Sequence, residues 1–115
     1  MRESLEDNEP LHDAVLRGAK EEFGATGVVE RYLGAKTDTI TSPHEPDFEK
    51  LTLYYAVRLC ELGERTGTDI ETVSKLEWYT PTQLLEIFDQ QCAHTKRPEL
   101  DERVVIKRFI AAYDL

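Results

Sequence analysis

The sequence predicts a mixed α/β fold, in the α+β sense, on three observations. An amphipathic helical stretch lies near the N-terminus, one long run has apolar residues in alternation, and a second amphipathic stretch closes the chain. The order helix, strands, short helix, helix fits an α/β sandwich.

Residues 1–8, MRESLEDN, are polar and predict a loop leading into the first helix, expected over residues 9–25. Pro10 suits the first helical turn, and Gly24 suits the left-handed cap that ends a helix. Leu11, Ala14, Val15, Ala19 and Phe23 recur at spacings of three and four, giving one apolar stripe. Arg17, Lys20, Glu21 and Glu22 crowd the other side, where residues three or four apart stand side by side. Gly18 neighbours both Glu21 and Glu22, although a glycine inside a helix costs about 1 kcal/mol relative to alanine.

Residues 28–40 mix β-branched and aromatic side chains and predict a strand kinked at Gly34. Two prolines in residues 42–47, SPHEPD, predict a loop. Residues 48–60, FEKLTLYYAVRLC, form the most strand-like run, with Leu51, Leu53, Tyr55, Val57 and Leu59 on one face. The other face, Thr52, Tyr54, Ala56 and Arg58, is too apolar for an exposed edge, so the strand is expected to be central and covered on both sides. Residues 63–71 read as an acidic loop and residues 75–79, KLEWY, as a short strand. Thr80 and Pro81 open a short helix, PTQLLEIF; residues 90–98 read as a polar connector. Residues 99–113 place Leu100, Val104, Ile106, Phe109, Ile110 and Tyr113 on one face of a final helix.

Of 115 residues, 40% are hydrophobic and 32% charged, the profile of a single soluble domain over residues 1–115. No run approaches the roughly 18 apolar residues of a membrane span, and no apolar signal-peptide core leads the chain, so a cytoplasmic location is expected. Cys60 and Cys92 lack zinc-ligand spacing and read as ordinary reduced thiols. His12, His44 and His94 are scattered and suggest no triad. A net charge of -9 argues against nucleic acid held on a basic surface. Phosphorylated substrates remain open to an acidic protein when divalent cations stand between carboxylates and phosphate oxygens. An unpaired strand edge would make a homo-oligomer possible.

Glu9, followed at a distance of eight by Arg17 and then by RGAKEEFGA over residues 17–25, resembles the box of the Nudix hydrolases. That pattern is a glycine, five residues, a glutamate, seven residues and then R-E-U-x-E-E-x-G-U, where U is a bulky aliphatic. Glu9, Arg17, Glu21, Glu22 and Gly24 match; Gly18 stands where the family has its first helix glutamate, and Ala19 and Ala25 replace aliphatic residues. Glu3 falls on the leading glycine position without a gap, or else an insertion in MRESLEDN puts that glycine upstream of Met1. After residue 8 the order of elements also resembles the family, with an L-x-L-Y run and an E-W-like strand before a short helix, and the resemblance implies an α/β/α sandwich with a mixed sheet, N-terminally incomplete, its first strands missing.

The resemblance implies hydrolysis of a pyrophosphate bond in a nucleoside diphosphate linked to another moiety, or in a related polyphosphate, with Mg2+ or Mn2+ as cofactor. It implies that Glu22 is the best metal ligand and Glu21 a second ligand or an acid held by Arg17, both being counted among the catalytic residues. Glu9 would brace the loop against the helix through Arg17, and Gly24 would close the helix. Glu71 is the nearest candidate for a further catalytic acid, with Asp69 and Glu64 behind it; a solvated loop acid is an equally good reading of Glu71. Without the box register, Arg17 and Glu21 would be a plain i,i+4 surface pair. Trp78, Tyr79, Tyr54 and Tyr55 could stack on a base, although aromatics in strand-like runs usually belong to the core. Gly18 removes one carboxylate, which leaves two explanations: a hydrolase that recruits an acid from elsewhere, or a Nudix-like module that binds a nucleotide or a protein partner.

Overall fold

A computed structural model describes residues 3–65, 76–95 and 97–115. Its elements are α1 (Leu11–Phe23), β1 (Ala25–Ser42), β2 (Glu45–Leu62), α2 (Pro81–Thr95), a 3-10 turn (Pro98–Leu100) and α3 (Arg103–Ala112). The fold is mixed α+β: among the described residues there are three α-helices and a two-stranded antiparallel sheet of order β1-β2. No helix among the described residues is long and apolar enough to cross a membrane.

The chain divides into two compact units, Met1–Arg31 with Tyr55–Glu77 and Tyr32–Tyr54 with Trp78–Leu115. In the first unit, α1 starts after Pro10 and stops at Gly24, whose φ of 65° is left-handed and whose N–H returns to the carbonyls of Ala19 and Lys20. Ala14, Gly18 and Ala19 are the buried positions of α1, while Leu11 at the head of the expected stripe is 41% exposed. Gly63 donates to the Gly24 carbonyl at 2.7 Å, joining the helix end to the end of β2. A Cβ at Gly24 would overlap the Gly63 carbonyl, so this approach also requires glycine. The His12 ring meets Tyr55 edge-on, with centroids 5.2 Å apart.

The strands are each 18 residues long, beyond the common 3–10, and a two-residue turn at Pro43 and His44 joins them. The expected loop over residues 42–47 therefore contracts to two residues, because proline serves as the first central residue of a tight turn. In β1 the inward positions are Ala25, Gly27, Val29 and Leu33, then Lys36, Asp38, Ile40 and Ser42. The alternation changes phase at Gly34, whose φ is 91°. A glycine of positive φ lets a strand absorb one residue out of step.

The second unit packs α2 against α3. Thr80 and Gln83 form a reciprocal capping box at the start of α2: Gln83 N–H donates to Thr80 Oγ1 at 3.2 Å and Thr80 N–H donates to Gln83 Oε1 at 2.8 Å. Lys36 Nζ on β1 donates to the carbonyls of Pro98 and Glu99 at 3.2 and 3.3 Å and pairs with Asp38 at 3.1 Å. Arg103 joins the helices, with Nη1 at 2.7 Å from Asp89 and a fork of contacts at 2.9–3.2 Å on Asp101.

Several sequence expectations are corrected. Strand β2 is not covered on both sides among the described residues: Leu51 is 64% exposed and Phe48 50%, and only Ala56 of its length is buried. Apolar content told of strand propensity, which is independent of what covers a strand. Leu76–Tyr79 is not a strand, and Trp78 is 75% exposed. Helix α2 continues to Thr95 through most of the expected connector, since Gln90 and Gln91 are adequate helix formers and Thr95 Oγ1 donates to the Gln91 carbonyl at 3.0 Å. The final helix begins at Arg103 rather than 99, because Asp101 takes the Arg103 N–H with its side chain and leaves Pro98–Leu100 as a separate 3-10 turn.

Candidate functional site

The box residues fall on α1 and on the segment that leads into it. A turn over Glu6–Glu9 carries Asn8 at a φ of 61°, and asparagine is among the few residues other than glycine that tolerate that region. The turn is closed by Glu9 N–H donating to the Glu6 carbonyl at 3.1 Å and by Glu6 N–H donating to Glu9 Oε1 at 3.1 Å. It folds residues 3–6 back towards Arg17.

Arg17 binds Glu9 through a two-pronged contact, Nε to Oε2 at 2.9 Å and Nη2 to Oε1 at 3.0 Å. Nη2 also donates to the Ser4 carbonyl at 2.8 Å. Nη1 faces Glu3 at 3.1 Å, Glu21 at 3.5 Å and Glu6 at 3.7 Å. Planar guanidinium and planar carboxylate match edge to edge, which makes the Glu9 contact the firm one. The Arg17 hydrogen bond holds the Glu9 carboxyl below the usual carboxylate range, the Glu6 amide adds to this, and burial opposes it. Reciprocally, Glu9 and then Glu3 make Arg17 harder to deprotonate, against the opposing effect of burial.

Glu21 and Glu22, half-buried, follow one turn later. Glu21 keeps only the long contact to Arg17, and no hydrogen bond or ion pair holds Glu22 among the described residues. Gly18 is buried, so the position where the Nudix pattern carries a glutamate lies on the inner side of α1. Gly24 stands at the cap. Glu71 and Asp69 lie outside the described residues; Glu64 is exposed. Tyr55 is taken up by His12. Among the described residues no three His, Cys, Asp or Glu side chains gather as a metal-binding group.

Glu3, Glu6 and the Ser4 carbonyl are the site features that sequence reasoning missed. Their signal was the spacing of three, Glu3, Glu6, Glu9, ahead of a helix with one arginine on its acidic side. Among the described residues four carboxylates surround Arg17, which leaves this group with more negative than positive charge. No protein family, curated protein or solved structure matches this chain.

Proposed function

We propose that the chain is a Nudix-type, Mg2+-dependent hydrolase of a pyrophosphate bond in a nucleoside diphosphate linked to another moiety, or in a related polyphosphate. One observation carries this reading: α1 holds Arg17 clamped on Glu9 while Glu22, one turn on, keeps an unengaged carboxylate beside Glu21. An arginine satisfied by the preceding loop holds Glu21 only at 3.5 Å and leaves Glu22 available. Mg2+ is commonly held by one or two carboxylates together with substrate phosphates, and Glu21 with Glu22 fits the protein's share of such a set. Bound there, the ion would neutralise phosphate charge and make a water nucleophilic. Arg17 and Glu9 fix the entry to the helix, and Glu22 presents its carboxylate without first breaking another contact. On this reading α1 and the hairpin belong to an α/β/α sandwich with a mixed sheet, and the substrate is a small nucleotide in the cytoplasm.

A second reading, a Nudix-like module that binds a nucleotide or protein partner without turning it over, is favoured by the burial of Gly18. The acid that the pattern carries at position 18 is missing, and its place is enclosed. Hydrolysis of ADP-ribose and diadenosine polyphosphates, assayed with and without Mg2+, separates the two. Metal-dependent turnover lost in Glu22→Gln supports the hydrolase; saturable nucleotide binding without turnover supports the module. Neither turnover nor binding would overturn both.

A further inference from the structure

The Nη1 end of Arg17 is contested. A guanidinium carries five N–H groups, and the Nε and both Nη2 hydrogens are committed to Glu9 and the Ser4 carbonyl. Two hydrogens on Nη1 remain for three carboxylates: Glu3 at 3.1 Å, Glu21 at 3.5 Å and Glu6 at 3.7 Å. Glu3 is closest, and its side chain is 23% exposed against 69% for Glu6, so water competes least for it. Glu21 sits at the outer limit of a hydrogen bond.

We propose that Glu3 is a positioning residue for Glu21: by occupying Nη1 it keeps the guanidinium from closing on Glu21 and leaves that carboxylate able to turn to a cation. This rests on the reading of Glu21 and Glu22 as the carboxylates offered to a divalent ion. Removal of Glu3 frees Nη1 to swing towards Glu21, one helical turn from Arg17, and the 3.5 Å bond between them closes to the roughly 2.7–2.9 Å of a charge-assisted bond. The acidic segment ahead of α1 therefore sets how tightly its own helix holds one of the candidate ligands.

The test reads the Glu21 side-chain carboxyl 13C resonance in metal-free protein at neutral pH, and separately Mn2+ binding by paramagnetic broadening at residues 18–22. Glu3→Gln should shift the Glu21 resonance and weaken Mn2+ binding about two- to fivefold, the span of an exposed ion pair. Glu3→Asp keeps the charge but withdraws it from Nη1, so it should shift the same resonance in the same direction even if Glu3→Gln loosens the segment. Asp7→Asn removes one negative charge from an exposed residue without a contact to Arg17, and should leave the Glu21 resonance in place. An unmoved Glu21 resonance in both Glu3 variants, with Mn2+ binding intact in the unaltered protein, overturns the role of Glu3 alone. Absence of local broadening in the unaltered protein overturns the metal reading and with it the purpose assigned to Glu3.

Discussion

Arg108 Nη1 donates to the carbonyls of both Leu33 and Ala35, at 3.2 and 3.0 Å, and so straddles the backbone on either side of Gly34. A Cβ on Gly34 would stand 2.7 Å from that nitrogen, at a φ of 91° that L residues rarely adopt. Gly34→Ala should destabilise the protein by about 1–3 kcal/mol, the usual cost of a sparsely populated backbone conformation. Adding Arg108→Ala removes the steric conflict but not the backbone one, so denaturant unfolding of the double variant should show no recovery. A neutral Gly34→Ala would mean that the strand can change phase without a positive φ.

Acid should loosen the helical pair. Arg103 hydrogen bonds hold the Asp101 carboxyl at about 2, below its ordinary 3.8, and burial opposes the shift. A carboxyl whose folded value is depressed stabilises the fold above its unfolded value. That contribution should disappear as pH falls from about 4 to about 2. Amide exchange in α2 and α3 should accelerate across this window, and Asp101→Asn should remove the window while lowering stability at neutral pH. An unchanged acid profile in Asp101→Asn would place the sensitivity elsewhere, with Glu9 the next group to test.

The capping box gives a cleaner number. Thr80→Ala leaves the Gln83 amide without its acceptor and should cost about 1 kcal/mol, visible as fraying of the first turn of α2 in hydrogen exchange. Thr80→Ser should retain most of the stability.

Gly18 separates helix propensity from burial. Gly18→Glu would relieve the glycine penalty of about 1 kcal/mol, yet it puts a carboxylate at a buried position. Melting of the metal-free variant should therefore fall below the unaltered protein and rise again with Mg2+ or Mn2+. Insensitivity of the variant to metal would mean that no ion reaches this part of α1.

Local chemistry made several elements readable. Pro10 and Gly24 bracket α1, Thr80 and Pro81 open α2, and Gly34 marks the change of phase in β1. The bidentate Glu9–Arg17 contact joins two residues that the box spacing had singled out. Coverage was not readable: Leu51 and Phe48 carry strand propensity whether or not anything packs on them. The Leu76–Tyr79 stretch shows the same limit, since aromatic content does not by itself place a segment in a sheet. Glu3 and Glu6 escaped because their convergence on Arg17 depends on the turn at Asn8, a conformation that an Asp-Asn pair permits but does not dictate.

The tie between Lys36 and the 3-10 turn spans 62 and 63 residues of chain, and Arg108 reaches back across 73 and 75. The β1–β2 hairpin, by contrast, closes on two residues. Loop-closure entropy delays the distant contacts, whereas a hairpin zips within roughly 1–10 μs. Assembly should accordingly be ordered: the ribbon forms first, and the C-terminal helices arrive as late ligands of its Lys36 ammonium and of the carbonyls beside Gly34. During synthesis, residues 98–108 emerge long after the hairpin, so the ribbon must wait with those groups hydrated by solvent until the end of the chain comes to claim them.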